Sequence, residues 1–489
     1  MQVRSSLKNT TWLYIGTGIA SAIVGIISGI IVFKLDNPLF AIAGALAMVF
    51  AVITVTNLDF GLLALVFMAY TRFSDVLVSF HNLPSIFKPF IALLIVAILL
   101  KWIIERQISA GWGRSAILVG AYGLVVFSSL LYASDFAFAL GAALNFLKDG
   151  IIAVVLVILI QDGKTFLGVV WVLLAAGIFV GTISTYQGLS GDYNNDFGGF
   201  GQVGYQNIIG ETEGNRLSGP VGDPNFYAQA MLVLIPLALN RFLKEKRWLL
   251  KGMAGWAFLV ITLAVVFSYS RGAAVAAAVM LLFSMLHSPP RLSDVLIGVL
   301  LIILIATFIP NPYMERLGTL TDVFGGRSGV LNDVSYRGRA SETIAAWLMF
   351  IDHPIFGVGV ENYPVFYQSY SRKLGLDPRL EQRQAHNLYL QVAAETGLAG
   401  ILVFGWLLIV MMRGMLAAWR KLKDAGEFLT ADLILSFATG VVGYLAAAMF
   451  IHGAYPRYLW LLAGISLAIP KVADRVLENS EKGLDDSRN

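Results

Sequence analysis

The chain has 489 residues, of which 57% are hydrophobic and only 13% carry a charged side chain. That charged fraction is about half of what soluble globular domains carry, so the composition argues against a soluble enzyme. The net charge of +4 is too small to indicate nucleic-acid binding, and the absence of cysteine excludes disulfides, thiolate metal sites and a cysteine nucleophile.

Apolar runs of about twenty residues recur along nearly the whole chain, and a helix of that length crosses a bilayer. They predict an all-α polytopic membrane protein, a bundle of about 12–14 transmembrane helices. The expected spans are 12–33, 38–56, 58–71, 87–104, 115–132, 145–161, 165–186, 224–241, 250–268, 272–287, 293–309, 395–412, 430–451 and 457–470. The first run is too long for the apolar core of a signal peptide, and no small-residue cleavage site follows it. We therefore expect it to be retained as a span.

Lysine and arginine concentrate in the short cytoplasmic loops of membrane proteins, and this chain distributes them unevenly. The basic segments Arg241–Lys251 and Arg413–Glu427 fall on one side of the expected spans, together with the C-terminal tail. A third basic loop, which holds Lys101, Arg106 and Arg114, falls on the same side. That side is predicted to be the cytoplasm.

This assignment leaves two long polar segments on the outer face, and long ordered loops are usually functional. The predicted regions are N-terminal transmembrane helices at 1–186, an outer loop at 187–223, central transmembrane helices at 224–309, a large outer loop subdomain at 310–394, C-terminal transmembrane helices at 395–470 and a cytoplasmic tail at 471–489. We expect any chemistry to lie in the two outer segments.

The first outer segment has a single basic residue, Arg216, and ends in Asp223-Pro224-Asn225. Aspartate suits the N-cap of a helix and proline its first turn, so Asp223 and Pro224 are explained at least in part as the start of a span. Arg216 is not explained in this way. Further along, Arg271 opens a span on the outer side, where an arginine is either a snorkelling side chain or part of a functional site.

The second outer segment contains Arg339 and a helix pattern that should end at Asp352-His353-Pro354, because proline disfavours helix in the residue before it. A glycine-rich turn, Gly357-Val-Gly359, follows, and a structural role is its simpler interpretation. Near the mouth of the next span lie His386, Asn387, Tyr389 and Glu395. His386, Tyr389 and, less closely, Glu395 could share one helix face.

These residues together indicate a chemistry. Arginines bind a diphosphate through paired hydrogen bonds and stabilise it as a leaving group, and imidazole is suited to moving a proton near neutral pH. The five histidines form no His-x-x-x-His pair, so the sequence predicts neither a metal site nor a cofactor. A metal-independent transfer from a lipid-linked diphosphate donor fits best, because the outer face lacks nucleotides.

In order and spacing, these motifs resemble those of the O-antigen ligase and O-antigen polymerase superfamily of bacterial membrane glycosyltransferases. The matching pieces are Arg216-Leu-Ser-Gly219 with Asp223-Pro-Asn225, Ser270-Arg271-Gly272, Gly338-Arg339 with Trp347, Asp352-His-Pro354 and Gly357-Val-Gly359, and His386-Asn387 with Glu395-Thr-Gly397. The resemblance covers residues 200–410 well and the first 190 residues only by hydropathy. One departure is Asp-Pro-Asn where many ligases have His-Pro-Asn, which leaves the acceptor open.

The resemblance implies an inverting enzyme with a GT-C-like helical fold in the bacterial inner membrane, its active site facing the periplasm. The donor would be an undecaprenyl-diphosphate-linked glycan, and the acceptor lipid A-core or another glycan; no nucleic acid is implied. Arg216 and Arg271 would contact the diphosphate, and His386 would activate the acceptor hydroxyl. The other expected substrate-binding residues are Arg339, Asp223, Asn225, Asn387 and Tyr389.

Several alternatives remain at this point. A ligase, a polymerase and a protein O-glycosylation enzyme all need the same diphosphate contacts and the same base. A transporter of lipid-linked glycans would instead place charged residues at the bilayer midplane and break helices in repeated halves. Mid-span positions here are nearly free of charge, with Lys148 and Asp149 the nearest exceptions, so the enzyme interpretation is favoured.

Overall fold

The computed structural model describes most of the chain after residue 37. The described residues are 38–106, 111–204, 215–289, 334–375, 377, 381–453 and 457–486, with isolated positions at 296, 298, 307, 308, 313, 314 and 318. The expected span at 12–33 lies outside them, and the expected span at 293–309 lies outside them except for four isolated positions.

Helices make up nearly all of the regular structure in these residues. They are α1 (Pro38–Thr56), α2 (Leu58–Tyr70), α3 (Phe73–His81), α4 (Phe87–Glu105), α5 (Trp112–Ser128), α6 (Phe136–Leu159), α7 (Gly163–Ser190), α8 (Pro224–Leu232), α9 (Leu234–Lys244), α10 (Trp248–Phe267), α11 (Arg271–His287), α12 (Val334–Asp352), α13 (Tyr363–Leu374), α14 (Leu388–Asp424), α15 (Phe428–Ala447) and α16 (Arg457–Asp486). Strands β1 (Gln202–Gly204) and β2 (Arg216–Gly219) form an antiparallel pair.

Eight helical segments of the described chain, with α8 and α9 counted as one, are long and apolar enough to cross a membrane, and the bent pair α2–α3 would make a ninth. The structure thus confirms an all-α polytopic membrane protein. The number is smaller than the expected range of about 12–14 partly because two expected spans fall outside the described residues. In addition, α11 has 17 residues and α2 has 13, so neither is long enough alone to count as a span.

Two helices begin earlier than hydropathy alone indicates, because a polar cap rather than an apolar residue starts them. Helix α6 begins at Phe136 instead of 145, since Asp135 accepts hydrogen bonds from the Ala137 and Phe138 amides. Helix α14 begins at Leu388 instead of 395, with the Asn387 side chain as its cap. The last helix, α16, continues through the expected tail to Asp486.

The chain forms two compact units, one at 1–65 and 85–109 and the other at 66–84 and 110–489. In the first unit α1 packs against α4, and the Phe50 ring lies 5.1 Å from that of Phe60 and 5.4 Å from that of Phe90. In the second unit α10 packs on α7 and α9, α16 on α6 and α14, and α15 on α11. Trp460 is fully buried there, its ring 4.8 Å from that of Phe146.

Helices α12 and α13 bury a cluster of their own beside the start of α14. It contains Ala345, Ala346, Met349, Val358, Tyr363, Tyr367, Tyr370, Ala385 and Ala394. The buried phenols are hydrogen-bonded, with Tyr363 donating to the Glu342 carbonyl at 2.7 Å and Tyr367 to the Asp377 carboxylate at 2.8 Å. This cluster fixes the position of α12, from which two site residues project.

The two glycine motifs of the sequence meet in one backbone contact. The amide of Val358 donates to the Ala394 carbonyl at 2.9 Å, and that of Leu398 donates to the Pro354 carbonyl at 2.8 Å. Helix α14 breaks its regular geometry at Gly397, whose φ is 63°. A Cβ at Gly397 would lie 2.5 Å from the carbonyl carbon of Ile355. The glycines therefore serve the structure, by letting two backbones approach closely.

Gly397→Ala is expected to lower the free energy of unfolding by about 2 kcal/mol or more, because it adds both backbone strain and a collision. The measurement is the thermal transition of the purified protein in detergent. Gly405→Ala is the matched control, since it lies in the same helix with nothing within 4 Å of its Cβ. Equal transition temperatures for the two variants would show that the close approach is unimportant.

Candidate active site

Arg216 is held inside the protein by contacts from two elements. It lies at the start of β2, opposite Gly204 of β1, and is only 2% exposed. Its Nε donates to the Ser268 carbonyl at 2.9 Å, and its Nη2 donates to Asn225 Oδ1 at 2.9 Å. Both contacts fix the plane of the guanidinium group. Paired hydrogen bonds to an oxyanion depend on such a defined geometry.

Arg271 is the first residue of α11, as the sequence predicted. The helix is capped by Ser270, whose Oγ accepts from the Ala273 amide at 3.3 Å. Tyr269, just before the cap, has a φ of 52°, a left-handed conformation that is uncommon for a residue other than glycine. The N-terminus of a helix favours negative charge, so α11 directs its positive end at the space beside Arg271.

One pocket brings together four of the residues selected from the sequence. Its lining residues are Arg216, Asn225, Tyr269, Ser270, Arg271, Gly272, Ala273, Arg339, Ala447, Phe450 and Ile451. We call this the arginine pocket. Within the described part of the chain, its charged lining residues are three arginines and no carboxylate lines it, so its chemistry suits an anion with several oxygens.

His386 lies just before α14 rather than on it, because Asn387 begins the helix and the backbone at His386 has a φ of 44°. The expectation that His386 shares a helix face with Tyr389 and Glu395 is therefore wrong. The imidazole Nδ1 lies 3.0 Å from the Gln384 carbonyl and 2.9 Å from Glu342 Oε2. Since both of these are acceptors, Nδ1 carries the proton and Nε2 remains available as a base.

Glu342 is the residue that holds His386. Its side chain is 0% exposed, and its second oxygen, Oε1, accepts from Arg383 Nε at 2.7 Å. Burial raises the pKa of this carboxyl, but the neighbouring His386 and Arg383 outweigh burial and hold the pKa below its ordinary value. A charged carboxylate thus orients the imidazole.

Three of the residues selected from the sequence have structural contacts. Asn387 Oδ1 accepts from the Tyr389 and Leu390 amides, each at 3.1 Å, and so caps α14. The Tyr389 hydroxyl donates to the Leu445 carbonyl at 2.7 Å and ties α14 to α15. Asp223 caps α8, as predicted. Asp223 also lines an open cavity separate from the arginine pocket.

Sequence reasoning missed Glu342 and His452. Glu342 falls on the same stripe of α12 as the fully buried Ala345, Ala346 and Met349, so a charged residue on an apolar stripe was the available signal. His452 follows α15, and its ring lies 5.2 Å from that of His386. Burial, together with the nearby His386, lowers the pKa of His452 to about 4, so its imidazole is neutral at neutral pH.

The fold and the site define a multi-pass membrane protein with a cationic pocket near a glutamate-held histidine. Residues 256–405 match the family model described as O-antigen ligase. This match supports the resemblance of the motifs to the O-antigen ligase and polymerase superfamily. The comparison with curated proteins gives no match. The matched range includes Arg271, Arg339 and His386, whereas Arg216 precedes it.

Proposed function

We propose that the protein is an inverting, metal-independent glycosyltransferase that moves a glycan from undecaprenyl diphosphate to an acceptor hydroxyl. The observation that carries the proposal is the convergence of Arg216, Arg271 and Arg339 in one pocket close to a histidine held by a buried carboxylate. Ile451 lines that pocket, and the next residue, His452, contacts His386 through its ring. The arginine pocket and the proposed base, His386, are thus neighbours.

In the proposed reaction the arginines bind the donor diphosphate and the α11 N-terminus adds its positive end. His386 Nε2 takes the proton from the acceptor hydroxyl, whose oxygen forms a bond to the anomeric carbon of the donor sugar. The bond from that carbon to the diphosphate oxygen breaks, and its electron pair leaves with the diphosphate. Attack from the face opposite the leaving group inverts the anomeric configuration.

The arginines supply the positive charge that many transferases draw from a metal ion. In the described part of the chain, no group of three or more histidine, cysteine or acidic side chains could hold a metal. Activity is therefore expected to persist in EDTA, and strong inhibition by EDTA would contradict the metal-independent form of the proposal.

The site is assigned to the periplasmic face of the bacterial inner membrane from the positions of the basic residues. The α8–α9 span begins at the pocket with Asn225 and ends with Arg241 and Lys244. Helix α14 begins beside His386 and ends with Lys421 and Lys423 in its last turn. Because such basic ends remain in the cytoplasm, the opposite ends face the periplasm.

The test is transfer by purified protein in liposomes, with an undecaprenyl-diphosphate oligosaccharide as donor and either lipid A-core or no added acceptor. Product that requires lipid A-core would make the protein a ligase, and growth of the donor glycan alone would make it a polymerase, which has the same chemistry. If the protein neither transfers the glycan nor hydrolyses the donor under any condition, the proposed function is contradicted.

A further inference from the structure

A second, larger space lies next to the arginine pocket. It is an open cavity of about 730 Å³. Its walls come from the start of α6, the first turn of α8, the start of α16 and the corner between α2 and α3. Sites for small organic ligands have volumes of about 300–1,000 Å³, so this cavity is large enough for sugar rings.

The cavity and the arginine pocket share two walls. In the first turn of α8, Asn225 lines the pocket, whereas Asp223 and Phe226 line the cavity. In the segment after α15, Ile451 lines the pocket and His452 lines the cavity. The two spaces therefore lie on either side of these segments, an arrangement suited to two substrates that meet at one bond.

The proposed base lies beside this partition, next to His452. The His386 ring is 5.2 Å from that of His452, a cavity residue. On another wall, Glu361 accepts a hydrogen bond from the Gln384 side chain at 3.2 Å, and the Gln384 carbonyl contacts His386 Nδ1. Glu361 has a φ of 54°, so, like His386, it has a left-handed backbone although it is not glycine.

The cavity differs from the arginine pocket in its charge. Among the described residues, the charged ones that line it are the cations Arg72, Lys148 and Arg457 and the carboxylates Asp149, Asp223 and Glu361, so their formal charges balance. Arg457 takes part in an ion network, in which its Nη1 lies 3.0 Å from Asp75 and its Nε lies 3.6 Å from Asp149. Donors and acceptors are both offered, without the excess of positive charge that selects an anion.

Aromatic side chains complete the lining. Phe138, Phe226 and Tyr458 supply apolar surface between the polar groups. A sugar ring presents hydroxyls at its edge and C–H groups on its faces, so a wall that mixes paired charges with aromatic rings matches an uncharged sugar.

We propose that this cavity binds the acceptor through an uncharged, hydroxyl-rich sugar and presents one hydroxyl of that sugar to His386. The assignment rests on the proposed function and adds to it a place and a chemical class for the acceptor. The reaction is the one described above: the hydroxyl proton passes to His386, the hydroxyl oxygen bonds to the anomeric carbon, and the diphosphate departs into the arginine pocket.

The test fills the cavity without touching the arginine pocket or His386. Gly141 lines the cavity on α6, and a Cβ built there meets no atom within 4 Å, so Gly141→Trp places an indole in the open space. Gly120→Trp on α5 is the matched control, because its Cβ is equally unobstructed and it does not line the cavity. Phe138→Ala removes one aromatic wall if the larger side chain is not tolerated.

Two rates are measured for each variant in liposomes: transfer to the acceptor that the wild type uses, lipid A-core or a second donor molecule, and hydrolysis of the donor without acceptor. Gly141→Trp is expected to lower transfer at least tenfold and leave donor hydrolysis within twofold, while Gly120→Trp changes neither. A parallel fall in both rates, or no change in transfer, would overturn the acceptor assignment. A wild-type protein without either activity would instead overturn the proposed function itself.

The chemical class is tested by competition. A neutral oligosaccharide should inhibit transfer competitively with the acceptor, and an oligosaccharide of the same size bearing a carboxylate should inhibit at least tenfold more weakly. Equal inhibition by the two would overturn the assignment of an uncharged sugar.

Discussion

Replacing Arg216 with alanine is expected to reduce glycan transfer by about 10³-fold, the scale on which single charge-stabilising groups act in a transition state. The guanidinium group is buried and hydrogen-bonded to the Ser268 carbonyl and to Asn225. It is therefore already oriented before the diphosphate binds. Arg271→Ala, which removes a second cation of the same pocket, is expected to have an effect of similar size.

The lysine variants separate charge from geometry. Arg216→Lys keeps the positive charge but cannot donate two parallel hydrogen bonds, so it should recover less than a tenth of wild-type transfer. The control is Arg413→Ala, an exposed position on α14 that lies about 38 Å of helix length from its start and should retain full activity. Thermal transitions in detergent are recorded for each variant. Full transfer by folded Arg216→Ala would refute the diphosphate role.

Replacing His386 with alanine should remove transfer while donor binding persists, and the more informative variant is Glu342→Gln. Glutamine keeps the size of Glu342 but loses the negative charge that lies 2.9 Å from His386 Nδ1. We expect transfer to fall by about 10- to 100-fold, because the imidazole loses the charged group that orients it.

The control for Glu342 is Glu381→Gln. Glu381 contacts the same Arg383, at 3.7 Å, but its side chain is 71% exposed, and exposed ion pairs contribute little. It should leave the rate unchanged. A Glu342→Gln variant whose loss of activity is matched by a lower thermal transition in detergent would indicate only structural damage. An unchanged rate would contradict the positioning role.

The depressed pKa of Glu342 also links stability to pH. A carboxyl whose pKa is lower in the folded protein stabilises the fold above its ordinary pKa of 4.5, and that contribution is lost as the pH falls through the folded value. The stability difference between the wild type and Glu342→Gln should therefore shrink on acidification. The pH dependence of this stability difference tests the role of Glu342 without an activity measurement.

Sequence reasoning succeeded where the signal was local. Asp223 and Arg271 were placed correctly at the starts of helices because caps and first turns are read from adjacent residues. The convergence of Arg216, Arg271 and Arg339 agrees with the interpretation that they form one cationic site, although 55 residues separate the first two and 68 the last two. For these arginines, it was the resemblance of the combined motifs to one superfamily that indicated a shared site.

The partners of His386 could not be derived in the same way. Glu342 lies on another helix, and its contact with His386 follows from how α12 packs on α14, which no local pattern encodes. His452 is hidden at the end of a long apolar run, where hydropathy records only a span. Asn387 and Tyr389 were expected to bind substrate, yet their side chains contact the start of α14 and the Leu445 carbonyl.

Residues 256–405, which match the ligase family model, do not form the arginine pocket by themselves. Arg216 and Asn225 enter the arginine pocket from before residue 256, and Phe450 and Ile451 enter it from after residue 405. A chimera that exchanged only residues 256–405 between homologues would join Arg271 and His386 to a foreign Arg216 and foreign walls. Swaps intended to transfer specificity therefore have to carry β2 and the first turn of α8 along with the recognised domain.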